Sequence, residues 1–373
     1  MKDKIAAVLG VVLVWALAGP GAALAQAPQV TIPSLGPLLR GYAAPDVSPP
    51  WLRPGILATY VGQIDSAPAV WQYWVSSTAS GQAVVVKYGF TVNLGTRNIE
   101  PVASTASPLA NGPFWIAPAA LARLPGSGVS GVPGGQTDVS RATVTFGGRR
   151  VAAVVVQKLS SEARTLETYD LATGILLELT AVVTGTADEA VLHLAGIERL
   201  PYPFDQDATL PGWVRPGLLL RYQIAKRTVL NGYAGPPDYG QGYLAVERTG
   251  KRWAEVRVGS LVSYNFGQPI PVTSGSTNVV GGGNAVDWMP PGILAAIRRP
   301  VVAFASRQLG LEIAFVPQRG YVSQIISFGS SRMTYVYNAQ SGVAVQYVQS
   351  GLLTANGGAS QVTTWNLTGS SRQ

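Results

Sequence analysis

The sequence has 373 residues, no cysteine, 47% apolar and only 12% charged residues, and a formal net charge of +8. Without cysteine there is no disulfide, thiolate nucleophile, thiolate zinc site or iron–sulfur cluster. An apolar fraction this high with so few charges excludes a disordered chain and leaves stabilisation to packing alone.

The chain opens with MKDK, an apolar run from Ile5 to Ala18, a helix-breaking GPG and the small-residue site Ala23-Leu24-Ala25. That order predicts an export signal over residues 1–25, with the mature chain starting at Gln26. As a retained anchor the run, at about fourteen residues, falls short of the roughly twenty needed to span a bilayer. No later stretch is apolar and long enough to cross a membrane. Residues 26–49, rich in Pro, Gly and Ala, read as an extended leader.

From there the chain says nearly the same thing twice. WLRPGILATY (Trp51–Tyr60) returns as WVRPGLLLRY (Trp213–Tyr222), FWIAPAAL around Trp115 as DWMPPGIL around Trp288, and YDLATGIL from Tyr169 as YNAQSGVA from Tyr337. One order at nearly constant offset marks a tandem duplication: a first copy over 50–200, a linker over 201–212 and a second copy over 213–370. The offset grows between the first two landmarks, which predicts an extra stretch in the second copy at Asn231–Tyr243.

In the opening motif, Pro54-Gly55 and Pro216-Gly217 suit the central positions of a type II turn, because Pro presets the first φ and Gly accepts the positive second one. Trp51 and Tyr60, or Trp213 and Tyr222, can clamp that corner, with Arg53 and Arg215 on an aromatic face. Short runs alternating β-branched, aromatic and polar residues follow, separated by Gly, Pro, Asn or Ser, and predict antiparallel strands. Only PAALARL from Pro118 and PPGILAAIRR from Pro290 look helical, each opened by Pro. The expected fold is mainly β: two tandem copies of an antiparallel, curved-sheet module, half-barrel or barrel-like, each with about seven strands and one short helix.

The copies differ in charge. Residues 50–200 carry 10 basic and 10 acidic side chains, whereas 211–373 carry 14 basic against 5 acidic. The second copy should project a positive field toward an anionic lipid, wall polymer or glycan; nucleic acid fits an exported protein least.

Sites for chemistry are sparse. GSGVSG (Gly126–Gly131) matches a dinucleotide fingerprint in letters only, since it follows a helix rather than a strand, and reads as a surface loop. His193 is the only histidine and has no Gly-x-Ser-x-Gly elbow to serve. Asp205 and Asp207 lack the further ligands a Ca²⁺ site requires. Asp170 becomes Asn338 in the other copy, which points to a turn-forming side chain rather than a shared acid. Glu162, Glu167 and Glu178 are a carboxylate pool for a hydrolase, with no pair singled out. No catalytic residue, metal site or cofactor is assigned.

Aromatic residues give the better indication of binding. Trp71 and Tyr73 share one strand face and could form a ledge, or pack in the core. Tyr233, Tyr239 and Tyr243 sit on a Gly/Pro-rich framework beside Arg248, Lys251 and Arg252, and make the leading candidate surface.

The succession of a Trp-Pro corner, a short helix and a late Tyr-Asp-x-x-Thr-Gly hairpin resembles exported bacterial proteins with curved antiparallel sheets, including periplasmic lipoprotein carriers of the half-barrel type. The resemblance implies a sheet wrapped around the short helix, with an apolar concavity suited to an amphipathic ligand. The first functional expectation is an exported, non-catalytic binding protein whose basic second module engages an anionic envelope component or amphipathic ligand. A structural or adhesive surface component and a carboxylate-dependent hydrolase are the alternatives.

Overall fold

The computed structural model describes residues 47–93, 96–99, 103–124, 127–132, 135–183, 189–200, 204–263, 269–271, 276–282, 287–306, 311–328, 331–352 and 359–372. The expected export segment and all of the leader before residue 47 lie outside the described residues.

The first copy contributes β1 (Ile56–Ile64), β2 (Ala67–Ala79), β3 (Gln82–Asn93), β4 (Thr96–Ile99), β5 (Ala103–Pro108), the two-residue β6 (Asn111–Gly112) and β7 (Trp115–Ile116), then helix α1 (Pro118–Arg123). It continues with β8 (Ser127–Val132), β9 (Gly135–Phe146), β10 (Arg149–Ser160), β11 (Ala163–Asp170), β12 (Leu176–Val183) and β13 (Glu189–Arg199). Apart from the β6–β7 pair, these strands make one 11-stranded sheet in the order β4-β3-β2-β1-β13-β12-β11-β10-β9-β8, with β5 also on β3.

The second copy repeats the plan. It contains β14 (Leu218–Leu230), β15 (Tyr233–Ala234), β16 (Asp238–Thr249), β17 (Trp253–Ser263), β18 (Pro269–Pro271) and β19 (Ser276–Gly281), then α2 (Pro291–Ala296). After the helix come β20 (Val301–Ser306), β21 (Leu311–Gln318), β22 (Tyr321–Phe328), β23 (Ser331–Asn338), β24 (Ala344–Leu352) and β25 (Ala359–Arg372). Their 12-stranded sheet runs β18-β17-β16-β14-β25-β24-β23-β22-β21-β20, with β15 on β14 and β19 on β17.

The class is as expected, mainly β in two tandem sheets with one short helix each, but the strands outnumber seven per copy. Two of the additional ones, β13 and β25, are long interior strands set between β1 and β12 and between β14 and β24, and the rest are short. One of them, β8, is formed by SGVSGV and pairs with β9, so most of the GSGVSG segment is strand and not loop; Gly and Ser hide the alternation that would have revealed it.

The duplication extends to irregularities of register. Bulges fall between Thr59 and Tyr60 and between Arg221 and Tyr222, and again between Thr168 and Tyr169 and between Val336 and Tyr337. A large-for-small exchange confirms that the cores are versions of one packing. Tyr60 faces Trp71 and Gly62 faces Leu192 in the first sheet; Tyr222 faces Gly242 and Ile224 faces Trp365 in the second. A Cβ on Gly242 would lie 2.2 Å from the Trp365 ring, so the indole fills from one strand the space that Trp71 fills from another.

The corner motif forms as expected. Gly55 and Gly217 adopt φ of 86° and 82°, and Ile56 N and Leu218 N close the turns on Arg53 O and Arg215 O. Trp51 Nε1 donates to Thr173 O at 2.8 Å and Trp213 Nε1 to Ser341 O at 2.6 Å; Tyr60 and Tyr222 hydroxyls donate to Leu176 O and Ala344 O. Each corner is thereby tied to its distant β11–β12 or β23–β24 hairpin. The arginine side chains point outward: Arg53 and Arg215 are exposed, and Arg215 Nε donates to Gly212 O at 2.8 Å. Asp170 and Asn338 accept amide hydrogens from Ala172 and Thr173, and from Gln340 and Ser341, as turn-forming side chains do.

Helix α1 lies on the inner face of the first sheet, in a core with Trp71, Phe114, Trp115, Val154, Tyr169 and Leu192. The second sheet divides its inner face between two clusters. One is its own; the other joins Met289, Ile293, Phe315, Ile326 and Met333 to Leu57, Trp74 and Val86 from the outer face of β1–β3, and to Phe204 of the linker. The first module thus covers part of the second.

A polar clasp secures this junction. Asp207 of the linker accepts from Thr78 N and Oγ1 and pairs with the Arg252 guanidinium, which also donates to Thr78 O at 3.1 Å. Arg252 O accepts from Ser77 Oγ and Gly282 N. Burial pushes the Asp207 carboxyl above its ordinary value, and Arg252 opposes that shift. Replacing Arg252 by Met leaves a half-desolvated carboxylate without its cation and should cost about 1–3 kcal/mol, read as a lower unfolding midpoint. The double variant R252M/D207N should recover part of that loss.

Candidate functional site

The residues singled out for binding separate into three groups. Trp71 and Tyr73 are buried at 1% and 7% exposure, Tyr73 stacking on Phe114 with centroids 5.6 Å apart and Lys87 lying 3.3 Å over the Trp71 ring. They form no surface ledge, because their strand face is the one closed by α1 and the aromatic cluster. Arg252 belongs to the junction clasp, and Arg248, though exposed, is held by Glu255. Lys251 is exposed in the turn between them.

Tyr233, Tyr239 and Tyr243 do reach the surface, at 85%, 51% and 36% exposure. The stretch read as an insertion is the far end of a long hairpin made by β14 and β16, turning at Asn231-Gly232 with positive φ at both residues, the geometry a tight hairpin needs. Register places Tyr243 opposite Arg221 and Tyr239 opposite Ala225. Both rings therefore share the outer face with Arg221, Gln223 and Arg227 of β14 and Gln241 of β16, all exposed except the intermediate Ala225 between them. Glycines keep this face low: Gly259 of β17 lies under the Tyr243 ring, and Gly369 of β25 is opposite Arg221. Tyr233 pairs with Leu230 at the tip, in register with the opposite face, and is not brought to the other two tyrosines. The sequence contained the signal for Arg221 and Arg227, two basic residues at odd spacing from inward-facing Tyr222 and Ile224.

The carboxylate pool does not converge. Glu178 and Glu167 stand on opposite faces of their sheet, Glu178 beside exposed His193 on the outer face and Glu167 beside Lys158 and Tyr169 on the inner one. Glu162 is exposed in a turn. Asp205 pairs with Arg199 and Asp207 with Arg252. Among the described residues no three His, Asp or Glu side chains are grouped to hold a metal ion, and no helix is long and apolar enough to cross a membrane.

One titratable residue stands where the duplicate has a ring. Leu176 N donates to Phe114 O, and Ala344 N to Asp287 O, so Phe114 and Asp287 occupy the same backbone position. Phe114 packs between Trp51, Tyr73 and Trp115. Asp287 instead puts a carboxyl near Tyr222, and burial pushes it up to about 7. Between about pH 4 and 7 the folded protein retains a proton that the unfolded chain releases, so this group makes stability fall as pH rises through that window and level off above it. Asp287→Asn should remove the slope, raising stability by about 1–3 kcal/mol near pH 8 and by little near pH 4, measured by denaturant unfolding at both.

No protein-family model matches this sequence, and no curated protein sequence is similar to it. Three solved structures are similar in part. MucB in complex with MucA(peri) is 12% identical and matches 88% of this chain and 91% of its own, with a TM-score of 0.24. The Pseudomonas aeruginosa MucA/MucB complex is 13% identical over 88% and 92%, also with 0.24, and MucB alone 12% identical over 69% and 95%, with 0.25. Agreement at that level does not define a shared arrangement, and nothing about function follows from it.

Proposed function

We propose that the protein is an exported, non-catalytic binding protein whose second module engages an anionic component of the cell envelope through the outer face of β14 and β16. The observation that carries this reading is the pair of exposed rings, Tyr239 and Tyr243, set among Arg221 and Arg227 on a glycine-flattened sheet face. Rigid rings lose little entropy on contact, and guanidinium groups recognise phosphate and carboxylate oxygens in bidentate fashion. The excess of basic over acidic residues in the second copy adds a longer-range attraction. Export is supported by the N-terminal charge, apolar run and small-residue site.

The direct measurement is retention on vesicles of phosphatidylglycerol against phosphatidylcholine over a salt series. Binding should be confined to the anionic vesicles and weaken as salt shortens the screening length below about 8 Å. R221S/R227S should lower affinity by about tenfold and flatten the salt dependence. Y239S/Y243S should weaken binding with the salt dependence kept. Unchanged retention in both variants would remove this reading; Arg252 is left intact because it holds the modules together.

A further inference from the structure

The far end of the β14–β16 hairpin has no counterpart in the first copy. There the corresponding strands, β1 and β2, turn directly from Ile64 to Ala67 through Asp65 and Ser66, both at positive φ. In the second copy β14 runs on to Leu230, and the chain returns through β15 and Gly235-Pro236-Pro237 before β16 rejoins β14 with Asp238 opposite Lys226. Residues 228–237, TVLNGYAGPP, carry no charge. Leu230 and Tyr233 pair across the Asn231-Gly232 turn at 57% and 85% exposure, the two highest values of any large apolar side chain among the described residues. They keep step with inward-facing Tyr222 and Ile224, so they do not extend the Arg221–Tyr243 face and instead end the hairpin beyond it.

A single exposed apolar side chain needs no explanation. A cross-strand pair on an uncharged extension is different, because the duplicate closes the same two strands with Asp65 and needs no apolar tip. The backbone of the extension is also short of free donors: Gly235 N donates to Thr228 O at 3.0 Å, and Pro236 and Pro237 have no N–H. Unpaired donors are what a water-poor medium penalises most. Behind the tip stands a cation. Arg227 is exposed and three residues from Leu230, about 10 Å along a strand, which sets it among phosphates when Leu230 reaches the acyl boundary of a bilayer. Tyr239, exposed on the return strand, follows at the depth where interfacial tyrosines gather.

We propose that this tip inserts into the outer part of an anionic bilayer, with Leu230 and Tyr233 at the acyl boundary and Arg227 and Tyr239 among the lipid phosphates. The inference rests on the anionic binding proposed above and commits its partner to a lipid surface, since a soluble polyanion gives an apolar pair no apolar medium to enter. Insertion is shallow, because the carboxylate of Asp238 opens the return strand and resists transfer into hydrocarbon.

The chain has no cysteine, so A234C carries a single nitrobenzoxadiazole dye beside the tip. When the labelled full chain meets phosphatidylglycerol vesicles, the emission should shift to shorter wavelength, and a nitroxide high on the acyl chain should quench it more than one near the chain end. Sodium polyphosphate should leave the emission unshifted. L230S/Y233S should weaken retention on the vesicles about tenfold and leave polyphosphate affinity unchanged; both side chains are exposed, so the unfolding midpoint should hold. An unshifted dye on vesicles that retain the protein, or retention indifferent to L230S/Y233S, would overturn insertion and leave the anionic reading standing. Binding to polyphosphate without retention on vesicles would overturn insertion and assign the basic face to a soluble polyanion, and binding to neither would remove both.

Discussion

An open, curved antiparallel sheet has one inner face that must be removed from water, and this molecule meets that demand in two unequal ways. The first sheet covers its inner face with α1, a nest of aromatic rings around Phe114, and a polar rung of Thr137, Lys158 and Thr165. The second has the same helix position but takes Leu57, Trp74 and Val86 from the outer face of its neighbour, with Phe204 of the linker wedged among them. Burial of that shared surface holds the duplicate halves in one arrangement, and the Asp207–Arg252–Thr78 clasp gives it direction.

That asymmetry explains where the copies were free to diverge. The Ile313–Ile326–Met333 rung is apolar because another module lies against it; the Thr137–Lys158–Thr165 rung is not under that constraint. On the outer side the pressures reverse. β1–β3 of the first copy bury part of their outer face in the junction, whereas the equivalent β14 and β16 leave theirs to solvent and populate it with arginine and tyrosine. Duplication followed by asymmetric docking therefore yields two different chemical faces from one module, a charged aromatic exterior on one copy and a polar interior on the other.

Much of this was legible along the chain. The Trp-Arg-Pro-Gly corner, both Pro-opened helices and the Asp170 and Asn338 turns follow from local stereochemistry: what Pro, Gly and Asx side chains do to φ and to nearby amides. Edge strands were not legible, since SGVSGV carries no apolar alternation and acquires its form from pairing with β9. Nor was the fate of Trp71 and Tyr73. Alternation predicted that they share a face but not which face would be closed, and the core took it. Arg252 looked like part of a binding cluster until the fold placed Asp207 beside it, 45 residues away in sequence.

The sequence by itself determined the class of the protein, its internal repetition, the corner geometry and the imbalance of charge between halves, because each depends on residue type and near-neighbour spacing. Only the tertiary structure decided which charges are spent on holding the modules together, which tyrosines share a face, and that Leu230 and Tyr233 stand together at an uncharged hairpin tip. Those outcomes depend on strand register and on one module docking against another, and both are set by contacts between residues that are distant in the chain.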